Sequence, residues 1–279
     1  MAEILQLLLG TIVLRPYVFA FLLVYLLAAA AQIGWRRTLV YTPLGYLIAW
    51  ISEYSSIHWG IPYGDYYYIP ATTNEELWVA GVPFMDSLSY VFLSFCSYAT
   101  AIFLLSPVTI EEGKLYVQDT QAIRRSWQTL VLGSFLFVFL DIIIDPVALQ
   151  GHRWFLGQIY GYRVNGLYFG IPMSNFIGWL VVGFVMISAL QWLEAMNRLQ
   201  PGRPSRLAGV PWMAAAGPLL YVSVLLFNLF MTFWIGEMLL ATVSSLLIFY
   251  TGLLAVFHTL YKIRASRGER GGGLSAGPG

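Results

Sequence analysis

Residues 127–146 read WQTLVLGSFLFVFLDIIIDP, an almost entirely apolar stretch that ends with two acidic residues, Asp141 and Asp145. A helix that crosses a membrane needs about 20 mostly apolar residues, and this stretch is long enough. Six further stretches have the same character. The predicted spans are residues 17–34, 38–56, 82–107, 127–144, 173–193, 210–230 and 235–260. The sequence therefore predicts an all-α, polytopic membrane helix bundle with about seven transmembrane helices.

The composition supports a membrane protein and narrows its chemistry. Of the 279 residues, 58% are hydrophobic and only 10% are charged, whereas a soluble domain carries about 25% charged residues. The net charge of +1 gives no basic surface for nucleic acid. The single cysteine, Cys96, excludes an internal disulfide and a cysteine-ligated metal centre within one chain. With three histidines that lack metal-ligand spacing, we expect neither a metal nor a cofactor.

The basic residues predict the orientation. The loops after the second and fourth spans hold only Arg153 and Arg163. Twelve of the 15 basic residues lie in the loops after the first, third and fifth spans and in the tail: Arg36, Arg37, Lys114, Arg124, Arg125, Arg198, Arg203, Arg206, Lys262, Arg264, Arg267 and Arg270. Loops rich in Lys and Arg remain in the cytoplasm. We therefore expect a multi-pass protein of the cell membrane with a cytoplasmic C-terminus.

The predicted domain organisation is simple. Residues 1–265 form one integral membrane domain, and residues 266–279 form a disordered tail. Residues 4–14 are apolar but too short to span, and Arg15 and Pro16 interrupt them. They are either a surface helix or the start of a long first span.

Polar residues lie at the non-cytoplasmic ends of four predicted spans. Glu53 is near the end of the second span, Asp86 opens the third, and Asn175 opens the fifth. Asp141 and Asp145 end the fourth span, where Pro146 is expected to stop the helix. Ionisable residues within a membrane are costly and indicate function. Four acids and an amide should therefore meet at one depth.

Two long non-cytoplasmic loops adjoin these residues and are rich in aromatic side chains. Residues 53–70 read EYSSIHWGIPYGDYYYIP, and residues 145–172 read DPVALQGHRWFLGQIYGYRVNGLYFGIP. Aromatic residues also form interfacial belts, which is the structural alternative. Long loops of this composition are more typical of functional segments than of disorder.

A short element occurs three times. Gly81-Val-Pro-Phe-Met-Asp86 opens the third span, Gly170-Ile-Pro-Met-Ser-Asn175 opens the fifth, and Gly60-Ile-Pro-Tyr-Gly-Asp65 lies in the first long loop. Proline suits the start of a helix or a turn. The element suggests that spans two and three and spans four and five form related hairpins.

Structural alternatives exist for several of these residues. Asp86 could only cap a helix, and Asp145 before Pro146 could only end one. His58 and His152 are better explained as interfacial hydrogen-bonding residues than as catalysts. Asp141 is harder to explain structurally, because it lies between Leu140 and Ile142 and shares a helix face with Asp145.

These elements together resemble the carotenoid biosynthesis family of membrane proteins. The resemblance rests on EYSSIHWGIPYGDYYYIP, GVPFMDSLSY, DIIIDPVALQGHRWF and YFGIPMSNFIGWL, in this order over residues 53–179. The Ser-Ser-Ile-His run after Tyr54 departs from the family's shorter glycine-containing segment. The best-known members are hydratases that act on terminal double bonds of carotenoids such as bisanhydrobacterioruberin and γ-carotene. The resemblance implies a carotenoid substrate and water as partners, within the lipid bilayer, and allows association with other enzymes of the pathway.

Acid-catalysed hydration fits the residues without a cofactor. Asp141 with Asp145 could share the proton that the alkene receives, and Glu53 or Asp86 could deprotonate the water. Aromatic faces could stabilise the carbocation. The aromatic candidates are Tyr54, Trp59, Tyr63, Tyr66, Tyr67, Tyr68, Trp154, Tyr160, Tyr168 and Trp179, and Asn175 is a further candidate for substrate binding.

Three alternatives remain at this stage. A proton-coupled transporter also gathers acids within the membrane, although usually near the midplane on broken helices. A membrane prenyltransferase would use Asp141 and Asp145 as half of an aspartate-rich Mg²⁺ site, but the second acidic motif is absent. A non-catalytic scaffold of a pigment-making complex is the third.

Overall fold

The computed structural model describes residues 2–196 and 210–272, with the side chains of residues 3–196 and 210–266. The described chain is mainly helical. Its α-helices are α1 (Ala2–Leu14), α2 (Pro16–Gln32), α3 (Trp35–Trp59), α4 (Phe84–Leu105), α5 (Gln121–Arg124), α6 (Trp127–Ala148), α7 (Met173–Ala195), α8 (Ala216–Trp234) and α9 (Met238–Gly272).

Within the described residues, five helices are long and apolar enough to cross a membrane: α4, α6, α7, α8 with the short turn before it, and α9. Together α1 and α2 make a sixth candidate, but they are bent by 92° at their junction. The 25-residue α3 is long enough, yet its arginines, threonines, serines and Glu53 leave it less apolar than the others. The structure therefore supports five spans, or six with the bent pair, and the predicted number of seven is not confirmed.

The segment before α2 is a separate helix and not a straight extension of a first span. The bend falls at Arg15, directly before Pro16, where the proline ring disfavours helical geometry and removes a backbone donor. The Arg15 side chain is buried and forms an ion pair with Glu76 at 2.8 Å. A buried ion pair at the junction fixes the direction in which α2 enters the bundle.

The bundle is built around α4. This helix packs against α2, α3, α6, α7 and α8. In its most apolar 18-residue stretch, 78% of the residues are buried inside the protein. The corresponding fraction is only 17% for α9, which packs on α8 and on residues Val108–Glu111. A helix that is apolar and exposed on most sides is suited to contact with lipid.

Six short strands modify the all-α prediction. They form three antiparallel pairs: β1 (Tyr66–Tyr68) with β6 (Tyr160–Tyr162), β2 (Trp78–Val79) with β3 (Val82–Pro83), and β4 (Val108–Glu111) with β5 (Lys114–Val117). The β1–β6 pair joins the two aromatic loops, because tyrosine suits extended backbone and pairing satisfies the backbone polar groups.

The ends of two predicted segments differ from the sequence expectation. Pro146 does not stop α6, which continues through it for two residues to Ala148. A proline lacks only its own N–H donor, so one further half-turn is tolerated at a helix end. α9 extends to Gly272, and the rest of the predicted tail, residues 273–279, lies outside the described residues. So do Arg198, Arg203 and Arg206 of the predicted cytoplasmic loop.

Candidate active site

Four helix ends bring the predicted polar residues together. Glu53 lies near the end of α3, Asp86 in the first turn of α4, Asp141 and Asp145 in the last turns of α6, and Asn175 in the first turn of α7. Glu53, Asp141 and Asn175 are buried, and Asp86 and Asp145 are half-buried. We refer to the four carboxyl groups as the acid cluster.

Glu53 accepts hydrogen bonds from three tyrosines. Tyr68 donates to its Oε2 at 2.8 Å, and Tyr66 and Tyr90 also donate to it. The Tyr68 hydroxyl contacts Asp86 as well. The Tyr68 hydroxyl therefore joins the carboxyl groups of Glu53 and Asp86.

Asp141 and Asp145 share an amide. The Asn175 Nδ2 atom donates to Asp141 at 2.9 Å and to Asp145 at 3.0 Å. Asp145 also accepts from Tyr162 at 2.7 Å and from Tyr160. The second oxygen of Asp141, Oδ1, is buried and has no hydrogen-bond partner among the described residues.

The tyrosines of β6 remain donors. Burial, and then the neighbouring carboxyl of Asp145, raise the pKa of Tyr160 and of Tyr162 well above the usual range for a phenol. Burial, Asp86 and Glu53 raise the pKa of Tyr68 in the same way. These phenols keep their protons at any physiological pH, so they orient the carboxyls without exchanging charge with them.

The two helical hairpins that form the site are built alike. In each, an acid near the end of the first helix, Glu53 or Asp145, accepts hydrogen bonds from two tyrosines of the strand that follows. The second helix then opens with Asp86 or Asn175 after the glycine–proline element. The strands β1 and β6 pair with each other. This arrangement agrees with the suggestion that the hairpins are related, and it places an amide in one where the other has an acid.

Among the described residues, no ion pair includes a carboxyl of the acid cluster, and the charge of Arg15, which acts on Asp86, is paired with Glu76. The ion pairs of the described residues join Arg15, Arg37, Arg124 and Arg153 to acids elsewhere. None of them includes Glu53, Asp86, Asp141 or Asp145. Burying carboxylates without a cation is costly, so the cluster is suited to holding protons.

Two cavities meet at the acid cluster. The polar cavity, of about 50 Å³, is lined mainly by Glu53, Asn175 and the tyrosines that bind the carboxyls. The apolar cavity, of about 110 Å³, lies between α2, α4, α6 and α8, and its walls include Tyr17, Phe21 and Phe227.

The two cavities share a wall that includes two carboxyl groups. Both cavities are lined by Asp86, Tyr90, Asp145, Tyr160 and Trp179. Asp141 lines the apolar cavity alone, and Glu53 lines the polar cavity alone. An apolar ligand in the first cavity would therefore reach Asp141, Asp145 and Asp86, while water in the second would reach Glu53, Asp86 and Asp145.

The predicted aromatic residues divide into two groups. Those that line a cavity are Tyr63, Tyr66, Tyr68, Trp154, Tyr160 and Trp179. Tyr54 stacks on His58 on another face of α3, Trp59 is 70% exposed, and Tyr67 and Tyr168 line neither cavity. An alternating strand explains Tyr67, because its neighbours in β1 point inward and it points outward.

The sequence argument missed Tyr90, Tyr162 and the aromatic residues of α2 and α8. Tyr90 follows Asp86 by one helical turn and stacks on Trp179 with ring centres 4.5 Å apart. The spacing of four residues was the available signal, because it places both side chains on one helix face. Tyr17 and Phe227 stack at 5.1 Å in the apolar cavity. The sequence carries no comparable signal for them, since apolar residues look alike in cores, cavities and lipid contacts.

Within residues 2–196 and 210–272, no group of three or more His, Cys, Asp or Glu side chains is placed to hold a metal ion. The acid cluster is instead occupied by tyrosine and asparagine donors.

Comparison with known proteins now identifies the family. A model described as carotenoid biosynthesis protein matches residues 3–251, which is most of the chain and includes the whole candidate site. The chain belongs to the carotenoid biosynthesis protein family. No curated protein and no solved structure matches it. Family membership confirms the resemblance inferred from the motifs and gives the protein a role in carotenoid biosynthesis.

Proposed function

We propose that this member of the carotenoid biosynthesis family is a hydratase that adds water to a terminal C=C of an acyclic or monocyclic carotenoid end. The observation that carries the proposal is the shared wall, where an apolar cavity ends on three carboxyl groups and adjoins a polar cavity. Such a site can receive a hydrocarbon end from one side and water from the other. Carotenoid and water are the proposed partners, and the bilayer is the surrounding medium.

The proposed reaction uses only groups of the chain. A protonated carboxyl gives its proton to the CH carbon of the terminal double bond, so the O–H bond breaks and a C–H bond forms. The π electrons form that bond and leave a tertiary carbocation. The oxygen of a water molecule then forms the C–O bond, and the proton that it loses returns to a carboxylate. The sum is addition of one water, and the acid is restored when the base passes the proton that it took from water back to the donor carboxyl.

Asp141 is our candidate for the proton donor. It lines the apolar cavity, is fully buried, and has one carboxyl oxygen without a hydrogen-bond partner among the described residues. Asp145 is held beside it through Asn175 and can share the proton. Asp86 faces both cavities and is joined through Tyr68 to Glu53, so this pair is our candidate for the base that takes the water proton.

Aromatic faces around the shared wall support a cationic intermediate. Tyr90 and Trp179 are stacked there, and Trp154, Tyr17 and Phe227 line the apolar cavity. A ring face stabilises a nearby cation by about 0.5–2 kcal/mol without forming a bond to it. Aromatic walls therefore suit a carbocation that must survive until water captures it.

Expression of the chain in a host that makes lycopene tests the function. We expect mass spectrometry of the pigments to show a gain of one or two waters. The matched controls are the Asp141→Asn variant, which should not hydrate, and Asp65→Asn in an exposed part of the first loop, which should. Unchanged pigment across several acyclic and monocyclic substrates would contradict the hydratase and favour the proton-coupled transporter.

We also propose that the acid cluster lies on the non-cytoplasmic side and that the C-terminus is cytoplasmic. The support is the division of loop basic residues. A reporter that is active only in the cytoplasm should be silent when fused after residue 70 and active when fused after residue 265. The opposite pattern would overturn the orientation.

A further inference from the structure

A polar side chain outside the acid cluster also faces the apolar cavity. Asn228 of α8 is only 6% exposed and lines that cavity together with Asp86, Asp141 and Asp145. Its Nδ2 atom donates to the backbone oxygen of Val224 at 2.9 Å. Among the residues that the structure describes, no donor reaches its Oδ1 atom.

Asn228 lies at the depth of the acids. The Tyr221 hydroxyl of α8 donates to the backbone oxygen of Leu136 on α6 at 2.8 Å, which fixes the relative height of the two helices. Both helices run toward the same end, where Arg153 after α6 contacts Glu237 after α8. Asn228 follows Tyr221 by about 10 Å, while Asp141 and Asp145 follow Leu136 by about 8 and 14 Å.

A purely structural role does not explain the amide. Its bond to Val224 stays within one helix turn, so it ties no two elements together. The other side chains of α8 in this cavity, Val224 and Phe227, are apolar. Placing an amide in an otherwise apolar helix face of the cavity costs desolvation free energy that an apolar residue would avoid. The acceptor is therefore best explained by a ligand that donates a hydrogen bond to it.

We propose that Asn228 is a positioning residue that holds the attacking water, an inference that rests on the hydratase function proposed above. Because Nδ2 is committed to Val224, Oδ1 accepts one O–H of the water. In this proposal a water that enters from the polar cavity passes the shared wall and is held by Asn228 in the apolar cavity, with its oxygen lone pair directed at the carbocation. As the C–O bond forms, the second proton of the water passes to a carboxylate of the acid cluster, and the proton bound to Oδ1 stays as the hydroxyl of the product.

The test separates protonation of the alkene from capture by water. Membranes containing the full chain are incubated with lycopene in D₂O, and the hydrated product and the recovered lycopene are measured by mass spectrometry. A carbocation that is not captured loses a proton and returns to alkene, and it leaves deuterium on carbon in part of the molecules. In Asn228→Leu we expect hydration to fall about 10-fold or more, while the ratio of deuterated lycopene to hydrated product rises by a similar factor.

Two variants serve as controls. Thr232→Val lies one turn along α8, is fully buried and lines neither cavity, so it should keep the wild-type ratio. Asn228→Asp keeps an oxygen acceptor and should restore capture relative to Asn228→Leu. If Asn228→Leu does not accumulate in the membrane, Asn228→Ala removes the same acceptor and is judged by the same ratio.

The outcomes distinguish the two proposals. If the wild type hydrates and Asn228→Leu does so equally well, or loses hydration and deuterium exchange in parallel, Asn228 does not position the water. If the wild type neither hydrates nor exchanges deuterium with any acyclic or monocyclic substrate, the hydratase function itself is wrong and the role of Asn228 falls with it.

Discussion

Buried acids occur at both ends of α7, and their surroundings differ. At its first turn, Asn175 joins the acid cluster, whose hydrogen-bond donors are tyrosines and amides. At its last turn, roughly 28 Å away, Glu194 belongs to an arginine cluster of Arg37, Asp119, Arg124 and Glu194. The second group contains two acids and two bases, so its formal charges cancel.

The difference indicates what each group is for. Arg124 binds Asp119 at 2.6 Å and Glu194 at 3.2 Å, and its Nη1 also donates to the backbone oxygen of Gln32. This single side chain thus links α2, the loop before α5, and α7. No ion pair of the described residues includes a carboxyl of the acid cluster. The proposed reaction requires carboxyls that can hold and transfer a proton. We therefore expect the arginine cluster to stabilise the fold and the acid cluster to take part in the proposed reaction.

The largest expected effect is on the acid cluster. Asp141→Asn keeps size and polarity but removes the transferable proton, and general acid catalysis contributes about 10²–10⁴-fold. Because an alkene has no easier route to protonation, hydration should fall at or beyond the upper end of that range, while the amount of protein in the membrane stays normal. The measurement is hydrated carotenoid per amount of membrane protein.

Two further variants make that prediction sharper. Asp145→Asn should be milder if Asp145 only tunes its neighbour, and comparable if the proton is shared. Asp65→Asn should matter least of the three. Retained hydration in Asp141→Asn would move the proton donor to Asp145, Asp86 or Glu53. Loss of the Asp141→Asn protein from the membrane would show instead that Asp141 is required for folding or stability.

The arginine cluster should respond in the opposite way. Arg124→Gln leaves Asp119 and Glu194 buried without their main cation, which typically costs about 3–5 kcal/mol of stability. We expect a lower melting temperature in detergent and less protein in the membrane, with unchanged hydration per folded molecule. Arg125→Gln, the exposed neighbour, is the matched control. A stable Arg124→Gln protein with little hydration would contradict the proposal that the arginine cluster serves stability and the acid cluster serves catalysis.

The sequence predicted the acid cluster better than the arginine cluster. Glu53, Asp86 and Asp141 stood at the ends of apolar stretches, so the alternation of spans placed them on one side. Arg124 stood in a loop and was counted only as a cytoplasmic charge. Its partner Glu194 is 70 residues away in sequence, and spacing along a chain carries no information on such a pair.

The same limit explains the other differences between prediction and structure. The helical content and the meeting of the acids followed from local patterns that a single segment displays. The direction in which α2 enters the bundle depends on the pairing of Arg15 with Glu76, which is 61 residues away. The apolar cavity depends on how α2 and α8 approach the site. The direction of α2 and the apolar cavity depend on contacts between residues far apart in sequence, and the local composition does not predict such contacts.

A smaller effect is expected within the acid cluster from the hydroxyl that joins Glu53 and Asp86. Tyr68→Phe removes that hydroxyl and keeps the ring. Hydrogen bonds to charged groups contribute about 1.5–3 kcal/mol, so we expect hydration to fall roughly 10- to 100-fold. Tyr67→Phe is the matched control, because Tyr67 directly precedes Tyr68 in β1 and is 43% exposed. Equal rates for the two variants would show that Tyr68 does not couple the two acids.

The smallest expected effect is that of replacing Arg37 in the arginine cluster. This variant tests whether burial determines how much an arginine contributes to stability. Arg37 approaches Glu194 at 3.6 Å with a side chain that is 23% exposed, whereas Arg124 is 2% exposed and binds two acids. Exposed or long ion pairs contribute about 0–1 kcal/mol, and Glu194 keeps Arg124 and Gln121 when Arg37 is removed. Arg37→Gln should therefore lower the melting temperature in detergent by much less than Arg124→Gln, and hydration should be unchanged. A loss of stability as large as that of Arg124→Gln would mean that the cluster depends on its total charge and not on the buried arginine that links its helices.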